Sequence, residues 1–216
     1  KPGQSGKAEW REFARCGVHF FQLDVSCWSA DPAAWDRALV PTIEADPEAR
    51  VWLRISTEPS GPWLDAHPDH VQVHHDEKNG DCIRRFVAFG GALWREAAAE
   101  RLVRLVDFME TRYADRVWAY NIQAGDCGEW AYSWSPVLSG YAPAQVAAWR
   151  EWLRERYAES ESLQAAWGDA EADLEGAGPP SWSDRTRSTG WPPASLLIDP
   201  GRERRLVDWL TFHGTA

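Results

Sequence analysis

Apolar residues recur along this chain at two spacings, every second residue in some segments and every third or fourth in others, which assign strands and helices respectively. Trp10, Phe13 and Ala14 share a helical face that Gly17 ends, so Glu9 to Cys16 reads as the end of a helix. GVHFFQLDVSCW follows, rich in β-branched and aromatic residues, and reads as a strand. Asp31 and Pro32 open a helix to about Ala45, with Trp35, Leu39 and Ile43 at helical spacing. ARVWLRIST is a second strand, stopped by Glu58-Pro59-Ser60-Gly61-Pro62. From Trp63 to about Gly91 the expectation is a long irregular stretch carrying four of the six histidines, a length at which loops are usually functional or disordered. Leu93 to Arg112 is the clearest helix, DRVWAYNIQAG a third strand, and Pro143 to Tyr157 a helix with Val146, Trp149 and Leu153 aligned. SLQAAWG is a shorter helical segment, a Pro/Ser/Gly-rich loop runs to about Pro200, and a final helix begins near Arg202.

Helices alternating with strands in this way predict an α/β domain with parallel strands. Side-chain direction in a strand has period two, so each strand carries two faces. Phe21, Leu23 and Val25 oppose Phe20, Gln22, Asp24 and Ser26 in the first, and Val51, Leu53 and Ile55 oppose Trp52, Arg54, Ser56 and Glu58 in the second. In the third, Trp118, Tyr120 and Ile122 are expected to face the helices, and Asn121 and Gln123 the other side. One face of each strand thus grows polar toward its C-terminal end, as in a barrel whose catalytic groups sit at that mouth. An open doubly wound sheet is the competing arrangement. Asp24 and Arg54 fit either a structural ion pair between neighbouring strands or a place in a site, and the two are compatible.

Composition narrows this picture. The 216 residues, 44% hydrophobic, suit one domain, and we take residues 1–216 as a single partial domain. Lys1 stands where an initiator Met is expected, and an amphipathic pattern is still running at Phe212–Ala216, so the expectation is a piece of a longer chain. A net charge of −10 disfavours nucleic acid and anionic membrane surfaces as partners. No apolar run approaches the ~20 residues that span a bilayer and no signal-peptide pattern is visible, which leaves the compartment and the oligomeric state open. Cys16, Cys27, Cys82 and Cys127 are widely spaced and read as free structural thiols. Fifteen Trp against one Met fit either core packing or stacking on the apolar faces of sugar rings.

YNIQAGDCGEWAYSW, from Tyr120 to Trp134, holds the candidate chemistry. Gly125 and Gly128 allow a sharp turn at a strand end, and the turn presents Glu129 among Trp130, Tyr132 and Trp134. Indoles around a carboxyl lower the local dielectric and raise its pKa, the condition a general acid requires. A solvated glutamate in a surface turn is the plainer alternative. Asp126 is a second, weaker candidate proton donor. His67, His70, His74 and His75 match no standard zinc spacing, and no metal or other cofactor is expected.

ARCGVHFFQLDVSCW, RVWLRISTEPSGPWLDAHPD, RVWAYNIQAGDCGEW and WREWLRERYAESESLQAAWG stand in the order and spacing of a known catalytic domain. Over about Glu9 to Ser181 the chain resembles the catalytic barrel of glycoside hydrolase family 42 β-galactosidases and their uncharacterised relatives. The resemblance implies an incomplete (β/α)8 TIM barrel, approximately strands two to four with their helices and long loops. It implies a retaining O-glycosidase acting on a carbohydrate, with Glu129 as the acid/base at the end of strand four and the nucleophile on a later strand outside this chain. It places Trp63 after strand three, and with the polar strand faces it nominates Asp24, Arg54, Trp63, Gln123 and Trp130 as substrate-binding residues. Two departures stand out: Gly128 replaces the family's Asn before the acid/base Glu, and DAEADLEG replaces its Phe-Trp-Ser. The first makes a non-catalytic carbohydrate-binding barrel the alternative reading. A whole barrel takes about 250 residues, so this piece by itself is expected to be inactive and, with unpaired edge strands, poorly soluble.

Overall fold

The computed structural model describes residues 5–76, 80–125, 130, 138–186 and 199–215. In chain order its elements are α1 (Ser5–Arg15), β1 (Phe20–Ser26), α2 (Ala33–Ala45), β2 (Arg50–Ser56), α3 (Gly61–Ala66), a 3-10 turn (Pro68–His70), β3 (Val71–Asp76) and β4 (Gly80–Val87). Then come α4 (Ala92–Tyr113), β5 (Val117–Gln123), β6 (Leu138–Ser139), α5 (Pro143–Tyr157), α6 (Ser160–Trp167), α7 (Trp182–Thr186) and α8 (Arg204–Thr215). They fall into two compact units, Lys1–Ser60 with Glu96–Ala131, and Gly61–Arg95 with Tyr132–Ala216.

The first unit is α/β. Its parallel sheet has the order β1-β2-β5, with Asp24 paired to Arg54 and Ser56 to Gln123 in register. Asp31 Oδ1 accepts the Ala33 amide at 2.9 Å, which satisfies one of the donors a helix start leaves open and fixes where α2 begins. Period-two burial follows the sequence in β1 and β2: Leu23, Val25, Val51, Leu53 and Ile55 pack with Trp35 and Leu39 of α2 and Leu105 and Met109 of α4. Each such side chain, fully buried, contributes roughly 1.5–3 kcal/mol of transfer free energy.

The expected facing of β5 needs correction at Trp118, and Ile122 is 43% exposed although its register partner Ile55 is buried. Val51 pairs with Val117 but Trp52 pairs with Ala119, so Trp118 is an extra residue on the bulged strand. Val117 and Tyr120 therefore both pack against the core, while Trp118 is 70% exposed and sits edge-on to Phe20, ring centroids 5.2 Å apart, on the opposite side of the sheet. A bulge shifts the alternation by one residue, which is why strict period two misplaces Trp118.

The second unit replaces the irregular stretch expected from Trp63 to Gly91. α3 and the 3-10 turn lead into β3, which pairs antiparallel with β4 on one side and β6 on the other. The buried positions of β3 are Gln72 and His74, while Val71 and Val73 are only half-buried, so the strand turns its polar residues inward and its hydrophobic pattern reads backwards. Gln72 Oε1 accepts the Gly140 amide at 3.3 Å and Gln145 Oε1 the Gly90 amide at 2.6 Å, giving these buried amides partners in the unit's interior. α5, α6 and α8 close on a second core in which Trp149 stacks on Trp152 and Trp167 and meets Trp209 edge-on. Gly168, at φ 64°, ends α6 in the left-handed conformation that glycine adopts without steric cost.

The tryptophans divide between core and surface. Trp35 and Trp149 are fully buried, Trp94 and Trp209 nearly so, whereas Trp118 and Trp130 are exposed.

Candidate functional site

The C-terminal ends of the three parallel strands are tied together beyond the last sheet pairs. The Cys27 amide donates to the Ser56 carbonyl at 3.1 Å, and the Trp28 indole N–H to the Thr57 carbonyl at 2.7 Å. The Thr57 amide and hydroxyl both donate to the Gln123 carbonyl, each at 2.8 Å. One residue on, Glu58 Oε1 accepts the Gly125 amide at 2.6 Å. Gly125 has φ 76°, the left-handed conformation that glycine adopts without steric cost, and the chain turns away there.

Beyond Gly125, Trp130 returns to the same strand end. Its amide donates to the Ala124 carbonyl at 2.8 Å and its indole N–H to the Ile122 carbonyl at 2.9 Å. Trp130 has φ 57°, a conformation rare for a bulky residue, and stays 51% exposed. Strained backbone held by specific hydrogen bonds is characteristic of ligand-handling positions, because the surrounding structure has to hold it there.

Asp24 and Arg54 occupy paired positions on the face of the sheet away from the core, with Arg54 Nη1 3.4 Å from Asp24 Oδ1. Gln123 Nε2 donates to Asn121 Oδ1 at 2.7 Å on β5. Asp24, Arg54, Gln123 and Trp130 thus belong to one sheet and its C-terminal ends. Trp63 lies in the other unit, on α3, where its ring stacks on His67 at 4.2 Å between centroids and the His67 ring bonds the Trp63 carbonyl at 2.8 Å. Glu129 lies outside the described residues, as do Gly128 and Asp126.

Sequence reasoning missed the clamp made by Thr57 and Glu58, although it put Glu58 on the polar side of its strand. It also missed the exposed Trp118–Phe20 pair, which the bulge conceals. Burial pushes the Cys27 thiol up to about 11, with Arg101 and Arg104 opposing weakly, so it is not a nucleophile at neutral pH. Of the histidines, His74 is buried within β3 and His75 packs against Tyr141 at 5.4 Å. Among the described residues no three His, Cys, Asp or Glu side chains gather into a metal-binding group, and no helix is long and apolar enough to cross a membrane.

The sequence model of glycoside hydrolase family 42, described as beta-galactosidase, matches residues 2–171. The chain belongs to this family. It is 27% identical to beta-galactosidase BgaA of Thermus sp, over 95% of this chain and 31% of that protein. It is also 27% identical to a beta-galactosidase of Thermus thermophilus, over 84% of this chain and 27% of that protein. The family chain described here therefore spans about a third or less of the length of these relatives. Among solved structures, the catalytic domain of beta-amylase from Paenibacillus polymyxa superposes with a TM-score of 0.73 at 17% identity, covering 98% of this chain and 56% of that one. The beta-galactosidase of the psychrophilic Marinomonas ef1 superposes at 0.58 and 20% identity, covering 97% and 32%. These likenesses establish the fold, an α/β arrangement that forms part of a TIM barrel.

Proposed function

We infer that this chain supplies one wall of the sugar site of a retaining β-galactosidase-like glycosidase and contributes its acid/base, Glu129. The observation that supports this most is the arrangement at the C-terminal end of the parallel sheet: Glu58 pins Gly125 where the chain leaves β5, Trp130 returns to the same strand end with a strained φ, and both stand at the end of the sheet that carries the polar Asp24, Arg54 and Gln123. In this reading Glu129 protonates the departing glycosidic oxygen while a carboxylate from outside this chain attacks the anomeric carbon and forms a glycosyl-enzyme ester. Glu129, now ionised, then takes a proton from the water that hydrolyses the ester, which restores both carboxyl groups. Asp24 and Arg54 bind sugar hydroxyls as acceptor and donor, Gln123 adds an amide, and Trp130 offers a flat face to the ring C–H groups. No cofactor enters the reaction. Residues 1–216 form a single partial catalytic domain in this reading, and the piece has no turnover of its own because the second carboxylate is absent from it.

Glu129→Gln in the full-length protein tests the assignment. Loss of kcat/KM by about 100-fold or more is expected on substrates with poor leaving groups, and far less on activated aryl glycosides, which need little proton donation. Equal loss on both would remove Glu129 from the role. Gly128, in place of the family's Asn, favours a second reading, a barrel that binds sugar without cleaving it. In that case the full-length protein has no turnover at all, and Trp130→Ala abolishes sugar binding.

A further inference from the structure

We propose that Glu58 is a positioning residue, whose carboxylate sets the start of the turn that carries the acid/base. The idea rests on the reading of Glu129 given above, but its structural half stands without it. Glu58 follows β2 and lies just before Pro59, which fixes its own φ and holds the preceding residue to extended conformations, so the backbone from which the Glu58 side chain leaves is restrained. The Glu58 amide also donates to Ser56 Oγ at 3.3 Å. From that base the half-buried carboxylate reaches 67 positions along the chain to Gly125 and accepts its amide at 2.6 Å.

A carboxylate acceptor makes a shorter and stronger bond to an amide than a carbonyl does. It acts on a residue with the left-handed φ of 76°, where the chain leaves β5 and sheet pairing no longer guides it. Thr57 fixes the preceding carbonyl, at Gln123, with two donors. The Trp130 amide and indole fix the far side of the turn on Ala124 and Ile122. Four of these five hydrogen bonds use backbone or side-chain groups common to many strand ends. The Glu58 bond alone brings a charged group from a neighbouring strand, and it does so between residues 123 and 130, where direction matters most for whatever the turn presents.

The consequence is geometric. Without the Glu58 acceptor, the Gly125 amide has to find water, and the turn can rotate about the flexible glycine. A misplacement of about 1 Å at a reacting group costs on the order of 100-fold in rate. Binding of a sugar along the strand faces would change less, since Asp24, Arg54 and Gln123 are set by the sheet register and not by the turn.

The test uses three forms of the full-length protein: wild type, Glu58→Ala and Glu58→Gln. Glu58→Ala is expected to lower kcat by about tenfold to 100-fold with KM changed less than about threefold. Glu58→Gln keeps an acceptor oxygen and is expected to recover most of the lost kcat. Amide exchange at Gly125 is expected to quicken at least tenfold in Glu58→Ala and to stay near wild type in Glu58→Gln. A folded Glu58→Ala with wild-type kcat and Gly125 exchange overturns the proposal. So does a Glu58→Gln protein that loses kcat as Glu58→Ala does while its Gly125 exchange stays near wild type, which would mean that the charge acts on substrate directly. If Glu58→Ala does not fold, the Glu58→Gln arm decides alone, with loss of kcat at wild-type Gly125 exchange, or faster exchange at wild-type kcat, counting against positioning. Failure of the glycosidase reading is separate: it appears as Glu129→Gln without leaving-group dependence, while the exchange result at Gly125 still stands or falls by itself.

Discussion

Arg54 Nη1 stands 3.4 Å from Asp24 Oδ1 across directly paired positions of neighbouring parallel strands, on the side of the sheet away from the core. The Asp24 side chain is 72% exposed and that of Arg54 29%, so water screens the pair and its net contribution to stability is below about 1 kcal/mol. That weakness separates two roles. If the pair only joined strands, its removal would change little of anything; if it binds substrate, its removal changes KM and leaves stability alone. Asp24→Asn and Arg54→Gln in the full-length protein are expected to unfold within about 3 °C of wild type and to raise KM at least tenfold. Kinetics beside thermal unfolding checks this, and an unchanged KM would return the pair to a structural role.

Asp208 is the opposite case. It lies fully buried on α8, accepts the Trp167 indole N–H at 3.0 Å and the Tyr157 hydroxyl, and pairs with Arg156 and Arg204 at 3.2 and 3.0 Å. Burial first, and then the Asp208 carboxylate, push the Tyr157 hydroxyl above its ordinary pKa, so it remains a donor across the accessible pH range. Removing Asp208 costs about 1–3 kcal/mol, less than in a wholly buried ionic network, because Trp167 and Tyr157 lose their acceptor while Arg156 and Arg204, with side chains 37% and 30% exposed, can turn to water. Asp208→Ala is expected to destabilise α8 by that amount, read as faster amide exchange over Leu206–Phe212, while Asp208→Asn, which retains one acceptor, loses less.

The sequence discloses elements whose burial obeys their period. β1 and β2 alternate as their residues do, and Pro143–Tyr157 is a helix between the boundaries its composition marks. Where local pattern and burial part company, the reading fails. β3 is the clearest instance: Gln72 and His74 are both buried, and the amide that Gln72 accepts belongs to Gly140, 68 positions away, which no local pattern records. Trp118 fails for a second reason, since a bulge depends on how two strands register and not on either strand alone. The candidate site divides likewise. Asp24 and Arg54 are legible as polar residues on one strand face, and their neighbours follow from parallel register. The bond from Glu58 to Gly125 joins residues 67 positions apart and leaves no periodic trace.

Acid sensitivity follows from His213. It packs in the last turn of α8, its ring 4.5 Å from that of Trp209 and 5.4 Å from that of Phe212. Burial, and then the Arg185 charge, lower its pKa from 6.5 to about 4. Above pH 6.5 neither the folded nor the unfolded chain holds the extra proton, and the folded state keeps its full stability. Between pH 6.5 and about 4 the unfolded chain takes up a proton that the folded chain refuses, so stability falls as pH drops. The loss at pH 4 amounts to about 3 kcal/mol at most. His70, lowered mainly by burial, adds to the same trend. His213→Phe retains the ring packing and removes the titration. Exchange of the α8 amides, measured at pH 7 and pH 4.5 and corrected for intrinsic rates, is expected to lose markedly less protection on acidification in His213→Phe than in wild type. Equal losses in the two proteins would show that burial beside Trp209 and Phe212 does not keep His213 neutral.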